Sequence, residues 1–259
     1  IEPLAVAAVT KPARTERYIH GVLFILAASI LWSLSGILLR NIESANQLQL
    51  VFYRSSAMAL TLLIIIAVNH RGRVVPVFRA AGGLGVLGGA CFAASSICFI
   101  YSITTTTVAS TVFLTATTPL FAALLAWLIL GQKSRPATWI AIVVTLVGVG
   151  IMMWGGIEDG QVLGNILALG AAVTFAGLTI VLRRGQHLDM TTAMCIGGLM
   201  AAIVGGLLAG DLAVSLHDFI LCMIVAICLF VLALLLYIML RFNAAANPTP
   251  SATTHNTTL

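Results

Sequence analysis

TTTTVASTVFLTATTPLFAALLAWLILGQ, from Thr104 to Gln132, is where a hydrophobic chain acquires a polar stripe, a proline and a sharp end. At about 100° per residue, Thr107, Thr111, Thr115 and Thr118 fall within about 80° of one another, so one face of a helix carries four hydroxyls. Such a face is not expected to look at lipid. Pro119 follows, and a proline inside a helix lacks its own N–H and leaves the carbonyl four residues earlier, that of Thr115, without its usual partner. At membrane depth a freed carbonyl needs protein, water or a ligand. Two readings are open. The threonines bond back to their own helix and join it to its neighbours, or the kinked helix lines a polar cavity, as discontinuous helices do in secondary transporters. The stripe as a whole, beside a kink, favours the cavity.

The surrounding chain fixes the class. Of 259 residues, 60% are hydrophobic and only 8% are charged, and the mean hydropathy is +1.10. That leaves too little polar surface to cover a soluble globule. The expected fold is an all-α integral membrane protein. Apolar runs able to cross a core of about 30 Å, at about 20 residues each, recur from Gly21 to near Arg241, and about eight are discernible. Span one covers Gly21 to Leu39, span two Leu48 to Val68 and span three Ala80 to Ile103. Span four covers Val108 to Leu130, span five Ala137 to Trp154, span six Leu163 to Leu182, span seven Thr192 to Ala209 and span eight Phe219 to Leu240. The connections are short, and none houses a catalytic domain.

Lys and Arg fall on alternate loops. Eleven of them, in the N-terminal segment (Lys11, Arg14, Arg17), after span two (Arg71, Arg73, Arg79), after span four (Lys133, Arg135), after span six (Arg183, Arg184) and at Arg241, share one side. Arg40 alone lies opposite. Because positive loops are retained inside, both termini are expected in the cytoplasm of an inner-membrane protein, and the net charge of +5 needs no nucleic acid. The chain opens on Ile1 rather than Met, so it is expected to begin inside a longer reading frame or after processing. The first apolar run lacks the pattern of a cleaved signal and is read as an anchor that stays.

GVLFILAASILWSLSGILLR (Gly21 to Arg40) and GNILALGAAVTFAGLTIVLR (Gly164 to Arg183) share length, a leading Gly and a closing Leu-Arg, and pair Trp32 with Phe175. An odd number of spans separates their starts, so the second unit is inverted, an arrangement used for alternating access. Small residues recur every fourth position in span seven (Gly197, Ala201, Gly205, Ala209, and Gly198, Ala202, Gly206, Gly210) and in span three (Gly85, Gly89, Ala93). Such faces are expected to be packing surfaces. Cys91, Cys98, Cys195, Cys222 and Cys228 lie inside the runs without zinc-site spacing and read as apolar fillers, so no metal is expected.

Arg54 is the only charge well inside a span. It is expected either to partner a carboxylate or other anionic group of a substrate, or to snorkel to the outer interface. Trp32, Ser33, Tyr101 and Phe175 are further candidates for a cavity wall, although aromatic residues near span ends, Tyr101 among them, also serve as interface anchors. Enzyme readings lack reactive groups: no acid lies mid-span, no span offers a histidine to activate Ser33, and no phosphate-cradling glycine loop is present. No catalytic residue and no cofactor is expected.

On LAASILWSLSGILLR, FYRSSAMAL and YSITTTTVASTVFLTATTPLFAALLAWLILGQ leading into TWIAIVVTLVGVGIMM, the chain resembles the drug/metabolite transporter superfamily, EamA type, over about Gly21 to Leu212. The resemblance implies ten helices in two inverted five-helix units around a central cavity that moves small metabolites such as amino acids, often outward. It places cavity residues at Trp32, Arg54, Tyr101, Thr115 and Pro119. The expected organisation is a cytoplasmic segment 1–19, a five-helix repeat 20–155, a truncated second repeat of three helices 162–241, and a disordered tail 242–259. Two departures stand out: Gly131-Gln132 replaces the family's Gly-Glu, and the pattern lapses after about Ile224, leaving spans nine and ten absent. The site residues expected to bind substrate are Trp32, Ser33, Arg54, Tyr101, Thr111, Thr115, Thr118, Pro119 and Phe175. The function expected is export of small organic metabolites by alternating access. The alternative is a truncated, non-transporting membrane protein acting through helix association, and pairing with a second copy is a further expectation.

Overall fold

The computed structural model describes residues 46–132, 136–158, 161–185, 189–211, 214–225 and 228, with part of 22–38. Trp32, the N-terminal segment 1–19 and the tail 242–259 lie outside the described residues. The chain divides into two compact units, one of Ile1–Ser35 with Cys228–Leu259 and a larger one of Gly36–Ile227. In the smaller unit Leu23, Leu26, Ile30 and Leu34 recur at helical spacing and are all exposed, an apolar stripe suited to lipid.

In the larger unit the apolar runs fold into helices α1 (Gln47–Asn69), α2 (Val74–Thr105), α3 (Val108–Thr115), α4 (Thr118–Leu130), α5 (Pro136–Glu158), α6 (Val162–Arg184) and α7 (Met190–Leu208). A shorter apolar helix, α8, covers Leu216–Val225. With α3 and α4 taken as one span, five helices among the described residues are long and apolar enough to cross a bilayer. Thr138–Met152 within α5, α8 and Ser29–Leu38 are shorter apolar helices. No strand occurs among the described residues, and the chain is an all-α, multi-pass membrane protein. Each helix sorts its faces as a bilayer requires: on α1, Leu60, Ile64 and Val68 are exposed while Val51, Ser55, Ala59, Leu62 and Ile66 are buried.

α2 is the packing centre, lying against both α6 and α7, and α1 packs on α7. Small residues decide where the backbones meet. A Cβ added to Gly197 would lie 2.5 Å from the Gly89 carbonyl oxygen, and one added to Gly89 would lie 2.6 Å from Ile196 Cγ2. A Cβ on Gly205 would meet the Leu48 carbonyl and the Phe52 amide nitrogen at 2.9 Å. No side chain fits at these points unless backbone moves, so Gly89, Gly197 and Gly205 are packing surface, whereas Gly210, the last member of the span-seven stripe, lies past the end of α7, exposed and with nothing within 4 Å. Around them Phe92, Leu178 and Ala193 form a buried cluster that Met58, Phe175 and Met194 join.

The same contacts give the directions of the helices. Gly198 faces Ala59 and Gly205 faces Phe52, so α1 and α7 run antiparallel. Gly88 lies against Val181 and Gly164 against Thr106, so α2 and α6 are antiparallel too, whereas Gly88 on Ala193 and Gly89 on Gly197 make α2 and α7 parallel. Strict up-and-down threading through short loops demands each of these relations.

Two glycine positions shape the turns. Arg71 at φ 50° and Gly72 at φ 81° reverse the chain after α1, with the Gly72 N–H returning to the Ala67 carbonyl at 2.7 Å. Gly82, at φ 54° and ψ −153°, interrupts α2 after eight residues with a backbone that only glycine adopts readily.

Because the α2–α7 contact leaves no space for a methyl group, Gly89→Ala and Gly197→Ala should each lower unfolding stability in micelles by about 1–3 kcal/mol. Gly150→Ala, at an exposed position with nothing within 4 Å, should be neutral or stabilise by up to about 1 kcal/mol. A common response of all three variants in a denaturant titration would contradict this packing.

Candidate functional site

The bend in the fourth span is built from hydroxyls. Thr107 caps α3, its Oγ1 accepting the Ser110 N–H at 3.1 Å. Thr111 Oγ1 donates to the Thr107 carbonyl at 3.1 Å, meets Ser102 Oγ of α2 at 2.8 Å, and is wholly buried. Thr115 Oγ1 donates to the Thr111 carbonyl at 2.7 Å, and Thr117 Oγ1 to the Leu114 carbonyl at 2.5 Å. The carbonyl freed by Pro119, that of Thr115, accepts from Thr118 Oγ1 at 2.6 Å. Ala116 and Thr117 keep right-handed helical angles, so the span bends without unravelling. Its polar groups are satisfied from within, as the first reading of the stripe has it. The hydroxyls nonetheless stay off the most exposed face: Thr115 and Thr118 are half-buried, whereas Ala109, Val112, Phe113, Ala116 and Pro119 are exposed.

Beyond the bend α4 stops sharply at Gly131, φ 65°, whose N–H bonds the Trp127 carbonyl at 3.1 Å. A cleft of about 440 Å³ opens beside this half of the span. Thr118, Pro119, Ala122 and Ala126 form one wall, Thr138 of α5 and Thr179 and Arg183 of α6 the other, with Gln132 at the end. Arg184, next to Arg183, fastens the two sides, its Nη2 donating to the Ile129 carbonyl at 3.3 Å.

Arg54 occupies a different place. It sits seven residues into α1, about 10 Å along the helix at 1.5 Å per residue, and its Nη1 donates to Ser96 Oγ of α2 at 3.1 Å. Its guanidinium carbon lies 5.4 Å from the centre of the Phe99 ring, within cation–π range. Among the described residues no carboxylate is within ion-pair reach of it; the ion pair found there joins His217 and Asp218. The side chain therefore turns inward to α2, and its charge meets a neutral hydroxyl and a ring. One of the guanidinium's five N–H donors is engaged by Ser96.

Of the residues singled out from the sequence, the seven in the larger unit do not converge. Thr118 and Pro119 share the cleft, Arg54 lies with Ser96 and Phe99, and Thr111 is sealed between helices. Phe175 packs on Phe92 with ring centres 6.4 Å apart. Tyr101 is half-buried, its carbonyl accepting from Thr105 Oγ1 at 2.6 Å. Ser33 belongs to the smaller unit and is exposed, and Trp32 is outside the described residues. The sequence reading missed Ser95 and Ser96: Ser95 Oγ donates to the Ala171 carbonyl of α6 at 2.9 Å, and a pair of serines in an apolar run was the available signal. It also missed Asn165, 1% exposed, whose Oδ1 accepts from Thr106 Oγ1 at 3.1 Å, while the same hydroxyl reaches Gln161 Oε1 at 2.8 Å. Among the described residues no buried side-chain polar atom lacks a partner.

The Thr118 bond makes a prediction about the bend. Thr118→Val should cost about 1–3 kcal/mol by leaving the Thr115 carbonyl bare. In a Pro119→Ala background the alanine N–H can take that carbonyl, so the same substitution should cost clearly less. Strict additivity in a double-mutant cycle read by unfolding would contradict the assignment.

Residues 19–154, more than half of the chain, match the EamA-like transporter family. Residues 210–259 match the family described as cytochrome C oxidase subunit II, transmembrane domain, over too little of the chain to assign it. A relative named "Uncharacterized transporter YwfM", from Bacillus subtilis (strain 168), is 29% identical over 166 residues, 61% of this chain and 54% of the relative. The chain thus spans about half the length of that relative. No solved structure matches.

Proposed function

The chain belongs to the EamA-like transporter family; from that premise we propose that it is a membrane transporter and carries small organic metabolites bearing an anionic group, amino acids or their relatives, outward across the inner membrane by alternating access. The observation that carries the substrate class is Arg54. A guanidinium inside a helix bundle has given up much of its hydration, and a neutral hydroxyl with a ring face offsets only part of that cost. A carboxylate entering beside Ser96 would form a charge-assisted, bidentate pair with donors already held in place.

The remaining parts fit a carrier. α1 and α7 hold the same place in the two expected repeats and cross in opposite senses, as inverted units need. The cleft at Thr118 and Pro119 serves as the opening on the arginine-rich side, taken as cytoplasmic with both termini. Tyr101, Thr115 and Phe175 are proposed as wall positions along the path, and Thr111 as the link that keeps α3 on α2. Pairing of two copies is compatible with these roles and is not required by them.

Flux of labelled amino acids in proteoliposomes tests the reading. Losing a charge-assisted contact of about 1.5–3 kcal/mol should lower uptake by Arg54→Gln about tenfold to a hundredfold, with Arg54→Lys keeping part of the activity. Undiminished flux in Arg54→Gln would overturn the assignment of the anion site.

A further inference from the structure

α2 is 32 residues long, about 48 Å at 1.5 Å per residue, whereas a hydrocarbon core is about 30 Å thick. The excess has a natural boundary. Gly82 leaves the helical region at φ 54° and ψ −153°, separating an eight-residue segment, Val74 to Ala81, from a remainder of about 34 Å that suffices to cross. Pro76 falls in the first turn of that segment, where its missing N–H costs nothing.

The segment's surface is distinctive. Val75 is 76% exposed, and Arg79, four positions on and so about one turn along the same side at about 100° per residue, is exposed as well, as are Arg71 and Arg73 in the preceding turn. Val74, Val77 and Phe78 are half-buried and Ala81 is buried, so the opposite side is held against the protein. No acidic residue occurs between Asn46 and Gly131, and none of these arginines makes an ion pair among the described residues. An exposed valine flanked by three unneutralised guanidiniums suits neither bulk water nor acyl chains. It suits the boundary between them.

We infer that Val74–Ala81 is an interfacial helix, hinged to its span at Gly82, which docks on acidic phospholipid head groups of the arginine-rich leaflet with Val75 inserted below them. Charge complementarity selects the partner: zwitterionic head groups offer Arg71, Arg73 and Arg79 no net attraction, whereas anionic lipid adds about a fivefold preference per basic residue near the surface. The insertion expected of such a helix is about 5–10 Å into the head-group and acyl boundary. The inference stands apart from the transported substrate, since no residue named in it lines the cleft or approaches Arg54.

Two measurements test it on the full chain reconstituted in phosphatidylcholine vesicles with or without phosphatidylglycerol. In the first, Val75→Cys and, as the water-exposed reference, His70→Cys are labelled with a membrane-impermeant maleimide, with the unsubstituted protein as background. Position 75 should react at least about tenfold more slowly than position 70 when phosphatidylglycerol is present. Equal rates at the two positions would mean that the segment continues the span into water, and would overturn the inference. In the second, lipids retained on the purified protein are counted by native mass spectrometry. Selectivity for phosphatidylglycerol should fall about fivefold for each of Arg71→Gln, Arg73→Gln and Arg79→Gln. Unchanged selectivity in the triple variant would overturn the lipid partner even if the labelling pattern held.

Discussion

Lipid gives two apolar helices no hydrophobic reason to associate, so their union depends on how closely the backbones approach. In this protein that approach occurs where α2 meets α7, with Gly89 and Gly197 leaving no space for a methyl group between them. The consequences spread outward. With α7 seated on α2, Gly198 and Gly205 receive α1 at Ala59 and Phe52, and α6 closes on the other side of α2 through Gly88 and the Ser95 bond to Ala171. Arg54 reaches Ser96 because α1 and α2 both belong to that cluster.

The same solvent that withholds a driving force also withholds hydrogen bonds. Every side-chain hydroxyl from Thr107 to Thr118 in the fourth span is answered from within the protein, ending with Thr118 on the carbonyl that Pro119 frees. A proline bend can then persist without water. The cleft beside α4 is lined by Arg183 and Gln132 as well as by Thr118 and Pro119. Arg54 is the exception in kind, a charge answered by a neutral oxygen and a ring. Exceptions of that sort mark places where a ligand can complete the chemistry.

Much of this was legible before any coordinates. Hydropathy located spans two, three, four, six and seven because a bilayer demands about 20 apolar residues at a time, and the four-residue spacing of glycine and alanine marked the contacts at Gly89, Gly197 and Gly205. Pro119 and Gly131 located the bend and the end of α4. What the sequence left open was the partner of each polar group. A threonine stripe looks the same whether its hydroxyls face a cavity or their own carbonyls, and Thr111 was resolved only by Ser102, nine residues earlier and on another helix. Arg54 could have reached the interface or the interior. Ser96 and Phe99, 42 and 45 positions away in the chain, decide that, and no periodicity announces them. The site residues were named as one group, and those of the larger unit lie in several places, because helical spacing sorts residues on one helix without saying which helix they meet.

The account turns on a guanidinium held inside the bundle for an anionic group, and binding tests that without transport. Thermal unfolding of the purified protein can be followed with an amino acid and with the amine left when its carboxylate is removed. The account predicts that an amino acid that binds raises the unfolding temperature while its amine does not, and that Arg54→Gln abolishes the difference. Equal stabilisation by acid and amine, or an undiminished response to the acid in Arg54→Gln, would contradict it.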